Sequence, residues 1–167
     1  DSFKRNLNLY VVSEDANGNL ATSNQVLKNN LKTWINNYRM INDTIDIIDP
    51  KIINIQIDFT AVVDYEQDKF DALSTAITEI QEMFEEKLDI GQPIYITKIY
   101  DVLNNLDEIV DVVNVKITNL TTGDGDYSAD NLLIENYISA DGRILYAPDN
   151  VIYELKFPNL NIKGTIR

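Results

Sequence analysis

Few side chains in this sequence can carry out catalysis at neutral pH. It contains no histidine and no cysteine, which excludes Ser-His triads, thiolate nucleophiles, thiolate zinc sites and disulfides. Adjacent carboxylates occur at Glu85-Glu86 and at Asp107-Glu108, and glycoside hydrolysis uses two carboxylates. A chain with 27 acidic residues is expected to contain such pairs by chance, and Glu85-Glu86 falls on the solvated side of a predicted helix. We therefore expect no catalytic residues.

One acidic loop has the oxygen-rich composition of a calcium site. The segment Asp124-Gly125-Asp126-Tyr127-Ser128-Ala129-Asp130 offers hard oxygen ligands of the kind that Ca²⁺ binds. It lacks the glycine that an EF-hand loop carries at its sixth position, and its distal glutamate, Glu135, has no bracketing helices. We interpret the segment as a polar surface turn, and we expect neither a bound metal ion nor a cofactor.

The charge of the chain restricts its partners. The formal net charge is −13, from 27 acidic and 14 basic residues, so phosphate backbones and anionic lipid surfaces repel it. No basic patch is visible, and no apolar run reaches the roughly 18 residues that span a bilayer. We therefore expect no nucleic-acid partner and no membrane partner. The chain begins at Asp1 without an initiator methionine, and we expect it to be a piece of a longer protein.

A strand followed by an amphipathic helix is predicted near the start of the chain. Residues 7–12 alternate as a strand, and Ser23 is placed to cap the helix. The apolar side chains of this helix share one broad face: Val26, Leu27, Leu31, Trp34, Ile35 and Tyr38. Core packing is our interpretation for Trp34, although tryptophan is also favoured at protein interfaces.

The longest predicted strand and helix follow one another in the middle of the chain. Residues 53–63 alternate apolar and polar side chains, which predicts a strand with one buried face. Asp64 or Asp68 then caps a helix. Its inner face consists of large apolar residues at helical spacing: Phe70, Leu73, Ile77, Ile80, Phe84 and Leu88. A short helix capped by Thr97 and a strand over residues 113–117 complete the pattern.

This order of elements predicts an α+β fold with a ferredoxin-like split βαβ layout, in which helices cover one face of a mainly antiparallel sheet. The composition changes after Leu120, where a loop rich in Gly and Asp leads into short strand patterns. We therefore expect an α+β core domain over residues 1–120, followed by a loop and a β-rich C-terminal appendage over residues 121–167. The appendage is too short for a core of its own, so we expect it to pack on the main domain or on a neighbour.

Aromatic residues are the candidates for protein contacts. Tyr95 and Tyr100 flank the turn before the short helix, and Tyr153, Leu155 and Phe157 lie on a strand pattern in the tail. Tyrosine combines apolar area with a polar tip and is favoured at interfaces. Core packing is the alternative role for these side chains. We predict that all five belong to an interface.

Three segments together resemble the C-terminal half of the baseplate J-like proteins of contractile phage tails. They are Leu9-Tyr10-Val11-Val12 through Leu31-x-x-x-Ile35, Ile47-Ile48-Asp49-Pro50-Lys51 through Ile57, and Gly91-Gln92-Pro93-Ile94-Tyr95 through Val115. In the family, as here, a glycine turn leads into a short helix and a valine-rich strand. The tail over residues 147–166 is similar to the large wedge subunit of T4-like myophages.

The resemblance implies a structural, non-enzymatic component of a tail baseplate. Wedge proteins of this family join around the tail tube, dimerise between neighbouring wedges, and form a ring that rearranges when the sheath contracts. The implied partners are other copies of the chain, as a homodimer or as ring neighbours, and other baseplate wedge proteins. The implied location is the virion, after assembly in the host cytoplasm. The family supplies no catalytic residues.

Two other function classes stay open on the sequence. A ligand-binding or regulatory α+β module without catalytic activity would show a formed apolar pocket with a few converging polar groups. A carboxylate-dependent hydrolase would show one acidic residue with a strongly raised pKa inside a cleft. The fold by itself does not decide among these classes, because one fold supports many functions.

Overall fold

The structure is a computed structural model that describes residues 5–38, 43–123 and 125–167. Its internal contacts divide the chain into two compact units, Asp1–Lys51 and Ile52–Arg167, called here the first and the second unit. The division does not fall at the predicted position after residue 120, because strands from both sides of that position pair in one sheet. The α+β class is confirmed by the mixture of helices and strands.

The first unit is a small parallel βαβ arrangement with a hairpin inserted into its connection. Its elements are β1 (Arg5–Tyr10), β2 (Val12–Glu14), β3 (Leu20–Thr22), α1 (Gln25–Asn36) and β4 (Asp43–Ile48). Strands β1 and β4 pair in parallel, and β2 and β3 pair antiparallel. A parallel pair needs a crossover connection, which α1 supplies here.

Helix α1 is held in place at its first two turns. Asn24, not the predicted Ser23, is the N-cap residue, and its side-chain oxygen accepts a 2.9 Å hydrogen bond from the backbone N–H of Val26. The ammonium of Lys28 lies 2.6 Å from a carboxylate oxygen of Asp49, just beyond β4. Ser23 is buried, and its backbone N–H also donates to Asp49.

The second unit is built around one long strand. Its elements are β5 (Lys51–Val63), α2 (Lys69–Met83), β6 (Ile94–Tyr95), α3 (Ile96–Asn104), β7 (Ile109–Leu120), a 3₁₀ turn (Ile134–Asn136), β8 (Ile144–Leu145), β9 (Val151–Glu154), α4 (Pro158–Asn161) and β10 (Ile162–Ile166). Strand β5 pairs antiparallel with β7 and parallel with β10, and it also pairs with β9. Strands β6 and β8 form a separate antiparallel pair.

The strand order differs from the predicted split βαβ layout. Strands β5 and β7 are direct partners joined by α2 and α3, and the other edge of β5 is filled by strands from the predicted appendage. Strands β1 and β4 were expected in the same sheet as β5. They form a separate two-stranded sheet with each other instead. Alternating hydrophobicity identifies a strand but carries no information about its partner, since strand pairing is a long-range choice.

The core of the second unit lies between this sheet and the two longer helices. Alternate residues of β5 are buried: Ile53, Ile55, Ile57, Phe59, Ala61 and Val63. The helices contribute a second layer: Ala72, Ala76, Ile80, Ile96, Ile99 and Leu103. Helix α2 approaches β10 closely at Gly164, where an added Cβ would lie 2.3 Å from Leu73 Cδ1 and 2.5 Å from Phe59 Cζ.

Strand β7 contains two irregularities that turn apolar side chains outward. Thr60 pairs with Asn114 while the next residue of β5 pairs with Val112, so Val113 is an extra residue. The same happens at Val110, between the partners of Val62 and Val63. Both valines are exposed, as expected where a β-bulge redirects a side chain.

Candidate interaction surfaces

Helix α1 presents an apolar face to solvent. Leu27, Leu31 and Trp34 of α1, and Tyr38 in the turn just after the helix, recur at intervals of four, three and four residues, which is the spacing of a seam between two packed helices. The side chain of Trp34 is 60% exposed and that of Tyr38 is 74% exposed. Their ring centroids lie 4.9 Å apart at an interplanar angle of 48°. The prediction that Trp34 is a core residue is therefore wrong.

This face is uncovered because the first unit is too small to bury it. A two-stranded sheet offers one narrow surface, and isolated two-stranded pairs are marginal in water. Among the described leucine, isoleucine, valine and aromatic side chains of the unit, only Leu20 is buried. Large apolar side chains from its helix and both parallel strands are exposed: Leu7, Leu9, Val26, Leu27, Trp34, Tyr38 and Ile48. Such a surface marks an interaction site or an aggregation liability.

The apolar face of α1 carries little charge in a strongly acidic chain. The helix contains two lysines and no acidic residue. Lys28 pairs with Asp49, and Lys32 lies 3.8 Å from Asp46. Asn24 and Asn30 line the same shallow groove as the apolar residues. Electrostatic repulsion is therefore weaker at this face than elsewhere on the chain.

Two of the predicted interface tyrosines belong to the α3 region. Tyr95, the residue before α3, is 44% exposed, and the ammonium of Lys98 lies 5.4 Å from its ring centroid. Tyr100 is half-buried against the core, and its hydroxyl accepts a 3.0 Å hydrogen bond from the backbone N–H of Val115. Tyr95 is thus accessible to a partner, whereas Tyr100 is engaged within the unit.

The predicted interface residues of the tail are largely internal. Tyr153 is only 1% exposed, and its hydroxyl donates a 2.7 Å hydrogen bond to the carbonyl of Tyr146. Its burial, with a smaller contribution from Tyr137, raises the pKa of Tyr153 to about 12. Leu155 is half-buried against the core, and Phe157 packs edge-on against Tyr127 with centroids 5.6 Å apart. The surface role predicted for Tyr153 is wrong, because β9 lies against β5 and its side chains enter the core.

The acidic loop fastens the start of β5. The carboxylate of Asp130 accepts a 3.0 Å hydrogen bond from the backbone N–H of Ile52, and Ser128 donates its backbone N–H to the side-chain oxygen of Asn54 at 2.6 Å. Asp124, the first residue of the acidic segment over residues 124–130, lies outside the described residues. Within the described ranges, no cluster of three or more acidic side chains is arranged to hold a metal ion.

The adjacent carboxylates do not form a facing pair. Glu85 and Glu86 follow the end of α2 and are exposed. Glu86 borders an open cavity of about 370 Å³ together with Tyr95 and Lys98, but Glu85 does not line it. Asp107 and Glu108 lie in the turn between α3 and β7. A glycosidase arrangement needs two carboxylates on opposite sides of one substrate site, and neither pair provides it.

A second cavity lies between α3, β7 and the turn before β8. Its volume is about 560 Å³, and its lining includes Tyr100, Asp101, Asn114, Lys116 and Arg143. This volume is within the range of small-molecule pockets. Its lining mixes both signs of charge with apolar side chains.

The sequence patterns did not predict that the apolar face of α1 is exposed. Val26, Leu27, Trp34 and Tyr38 were placed on one face, but periodicity does not reveal whether a second layer covers that face. The available signals were the seam-like spacing and the absence of acidic residues on α1. Together they distinguish this helix from α2, whose outer side is acidic.

No protein-family model matches the chain, and no curated protein matches it significantly. In the part of the chain that the structure describes, no helix is both long enough and apolar enough to cross a bilayer.

Proposed function

We propose that this chain is a structural component of a contractile phage-tail baseplate that joins wedges into a ring through protein–protein contacts. The resemblance of three segments to baseplate J-like proteins motivates the proposal. The main supporting observation is that the first unit buries Leu20 but leaves the apolar face of α1 exposed. A unit that leaves so much apolar surface in water is suited to assembly with a partner. The proposed role requires no catalysis.

Another copy of the chain is the partner that we assign to the α1 face. Two chains with a formal net charge of −13 each repel one another over most of their surfaces. The α1 face is an exception, because its ammonium groups are paired and it has no carboxylate. Its seam-like spacing allows two symmetry-related helices to pack with Trp34 and Tyr38 in the contact.

The size of the face predicts a weak dimer. A tryptophan or tyrosine covers roughly 150–250 Å² when it is fully buried, so the two partly exposed rings offer on the order of 250 Å² per copy. A stable interface buries about 800 Å² per partner. The helix pair therefore supplies part of a ring contact, and we expect it to dissociate when the isolated chain is diluted.

Light scattering coupled to size-exclusion chromatography tests this assignment. We expect the mean mass to rise from the monomer towards the dimer as the concentration increases from micromolar to millimolar. A strict monomer over the whole range would contradict self-association through α1. It would also shift support towards the ligand-binding alternative.

The cavity beside Tyr100 supports a second candidate function, a ligand-binding or regulatory module without catalytic activity. Its volume of about 560 Å³ is sufficient for a small metabolite. A ligand at a hundredfold excess over its dissociation constant stabilises a protein by roughly 2.7 kcal/mol. A thermal-shift screen with metabolites and Ca²⁺ would detect this effect, and the absence of any shift would argue against the candidate.

A further inference from the structure

Two aromatic rings project from the connection between β5 and α2. The side chain of Tyr65 is 90% exposed and that of Phe70 is 83% exposed. Phe70 was predicted on the inner face of α2, but the buried face of the helix is centred on Ala76 and Ile80. Phe70 lies in the first turn, at the margin of that face, and therefore contacts solvent.

The connection that carries these rings is well fixed. Asp68 caps α2, and its carboxylate accepts hydrogen bonds from the backbone N–H groups of Phe70 at 2.7 Å and Asp71 at 3.4 Å. The backbone N–H of Gln67 donates to the carbonyl of Asp64 at 3.0 Å. The hydroxyl of Tyr65 donates to a carboxylate oxygen of Glu66 at 2.7 Å. The rings are thus exposed on a hydrogen-bonded turn.

The start of β7 adds apolar area beside this turn. The backbone N–H of Asp64 donates to the carbonyl of Glu108 at 3.4 Å, and Val63 pairs with Ile109. The next residue, Val110, is the bulged residue of β7, and its side chain is exposed. Tyr65, Phe70 and Val110 therefore lie at one end of the second unit, and we call them the aromatic tip.

Most charges around the aromatic tip are negative, although Arg167 also lies at this end of the unit, with its backbone hydrogen-bonded to Ala61 and Val63. Exposed carboxylates lie on both adjoining segments: Asp64, Glu66, Asp68, Asp71, Asp107 and Asp111. Residues 64–71 and 107–113 together contain a single cation, Lys69. Anionic surfaces, including nucleic acids, acidic lipids and a second copy of the tip, are repelled here.

We propose that the aromatic tip docks onto an arginine-rich surface of a partner protein. Guanidinium groups suit this surface because they bind carboxylates through two parallel hydrogen bonds and also stack on aromatic rings. Exposed aromatic anchors within a complementary charged rim are typical of interface hot spots. The partner surface would therefore be arginine-rich. This proposal rests on the proposed function, because it assumes that the chain acts through protein contacts.

Nuclear magnetic resonance titration of the complete ¹⁵N-labelled chain tests the proposal with two probes, a nona-arginine and a nona-lysine peptide. We expect nona-arginine to shift the amide resonances of residues 64–71 and 107–113 and to bind several-fold more tightly than nona-lysine. The double variant Tyr65→Ala/Phe70→Ala should weaken nona-arginine binding about tenfold, since two ring contacts are lost. Both rings are exposed, so the variant should retain the native circular dichroism spectrum.

A matched control uses an exposed tyrosine elsewhere in the second unit. Tyr146→Ala should leave the affinity for nona-arginine unchanged, since Tyr146 is exposed and follows β8, which pairs with β6 and not with the strands at the tip. Shifts spread over all acidic surfaces, equal affinity for the two peptides, an unaffected double variant, or no binding would each overturn the proposal. Self-association is measured separately by light scattering, so a failure of the tip proposal is distinguishable from a failure of the proposed assembly function.

Discussion

The side-chain amide of Asn54 donates a 2.7 Å hydrogen bond to the carboxylate of Glu154, which lies 100 residues further along the chain. Both side chains are buried. The amide oxygen of Asn54 accepts a hydrogen bond from the backbone N–H of Ser128. One asparagine therefore connects β5, the loop after β7 and strand β9, which makes the tail part of the second unit.

Asn54→Ala should lower the free energy of unfolding by about 2–4 kcal/mol. The substitution removes two hydrogen bonds, one to the buried carboxylate of Glu154 and one from the backbone N–H of Ser128. Urea denaturation followed by circular dichroism measures the change. Asn30→Ala, at an exposed position on α1, should change the free energy by less than about 0.5 kcal/mol. Equal effects of the two substitutions would show that the Asn54 network contributes little.

Alkaline pH should destabilise the fold through Tyr153. Burial raises the pKa of Tyr153 to about 12, above the value near 10 of a tyrosine in the unfolded chain. The unfolded state therefore loses this proton first, and stability is fully present below pH 10 and falls between about pH 10 and 12, by roughly 2 kcal/mol for this group.

The variant Tyr153→Phe isolates that contribution from the other tyrosines and lysines. It cannot ionise, so its unfolding free energy should fall less steeply than that of the parent chain over the same pH interval. At neutral pH it should cost about 1 kcal/mol, because the hydrogen bond to the carbonyl of Tyr146 is lost. Parallel pH profiles for the two proteins would contradict the raised pKa.

Self-association should be visible in the fluorescence of Trp34, the single tryptophan of the chain. Burial of its exposed ring between two copies should shift the emission maximum to shorter wavelength as the concentration rises. Leu27→Ser removes an apolar neighbour from the same face, keeps the fluorophore, and should raise the dimer dissociation constant at least tenfold. Tyr146→Ala in the second unit serves as the control and should leave the concentration dependence unchanged.

Gly164→Ala should destabilise the second unit by about 1–3 kcal/mol, because an added methyl group overpacks a filled core. The new Cβ would approach the ring of Phe59 and the end of Leu73 within 2.5 Å. Thr165→Ala, at the next and exposed position of β10, is the matched control. Thermal unfolding should distinguish the two variants, and equal melting temperatures would show that α2 can move away from β10 at little cost.

Local patterns in the sequence predicted the long elements well. The alternation of residues 53–63 identified β5 and its buried side, and Asp68 was one of two predicted caps of α2. The inward residues Ile99 and Leu103 of α3 are also buried as their spacing indicates. These features depend on interactions within a few residues, so the sequence specifies them directly.

The sequence by itself determined the α+β class, the buried side of β5, the inward residues Ile99 and Leu103 of α3, and a chemistry without histidine or cysteine. The tertiary structure decided which faces are covered. Periodicity grouped Trp34 and Phe70 with core residues, yet α1 has only a two-stranded sheet beneath it and Phe70 lies beyond the buried face of α2. Tyr153 was predicted to be a surface residue, but it is buried because β9 pairs with β5. Burial depends on which distant segments pack together, and no local pattern encodes that choice.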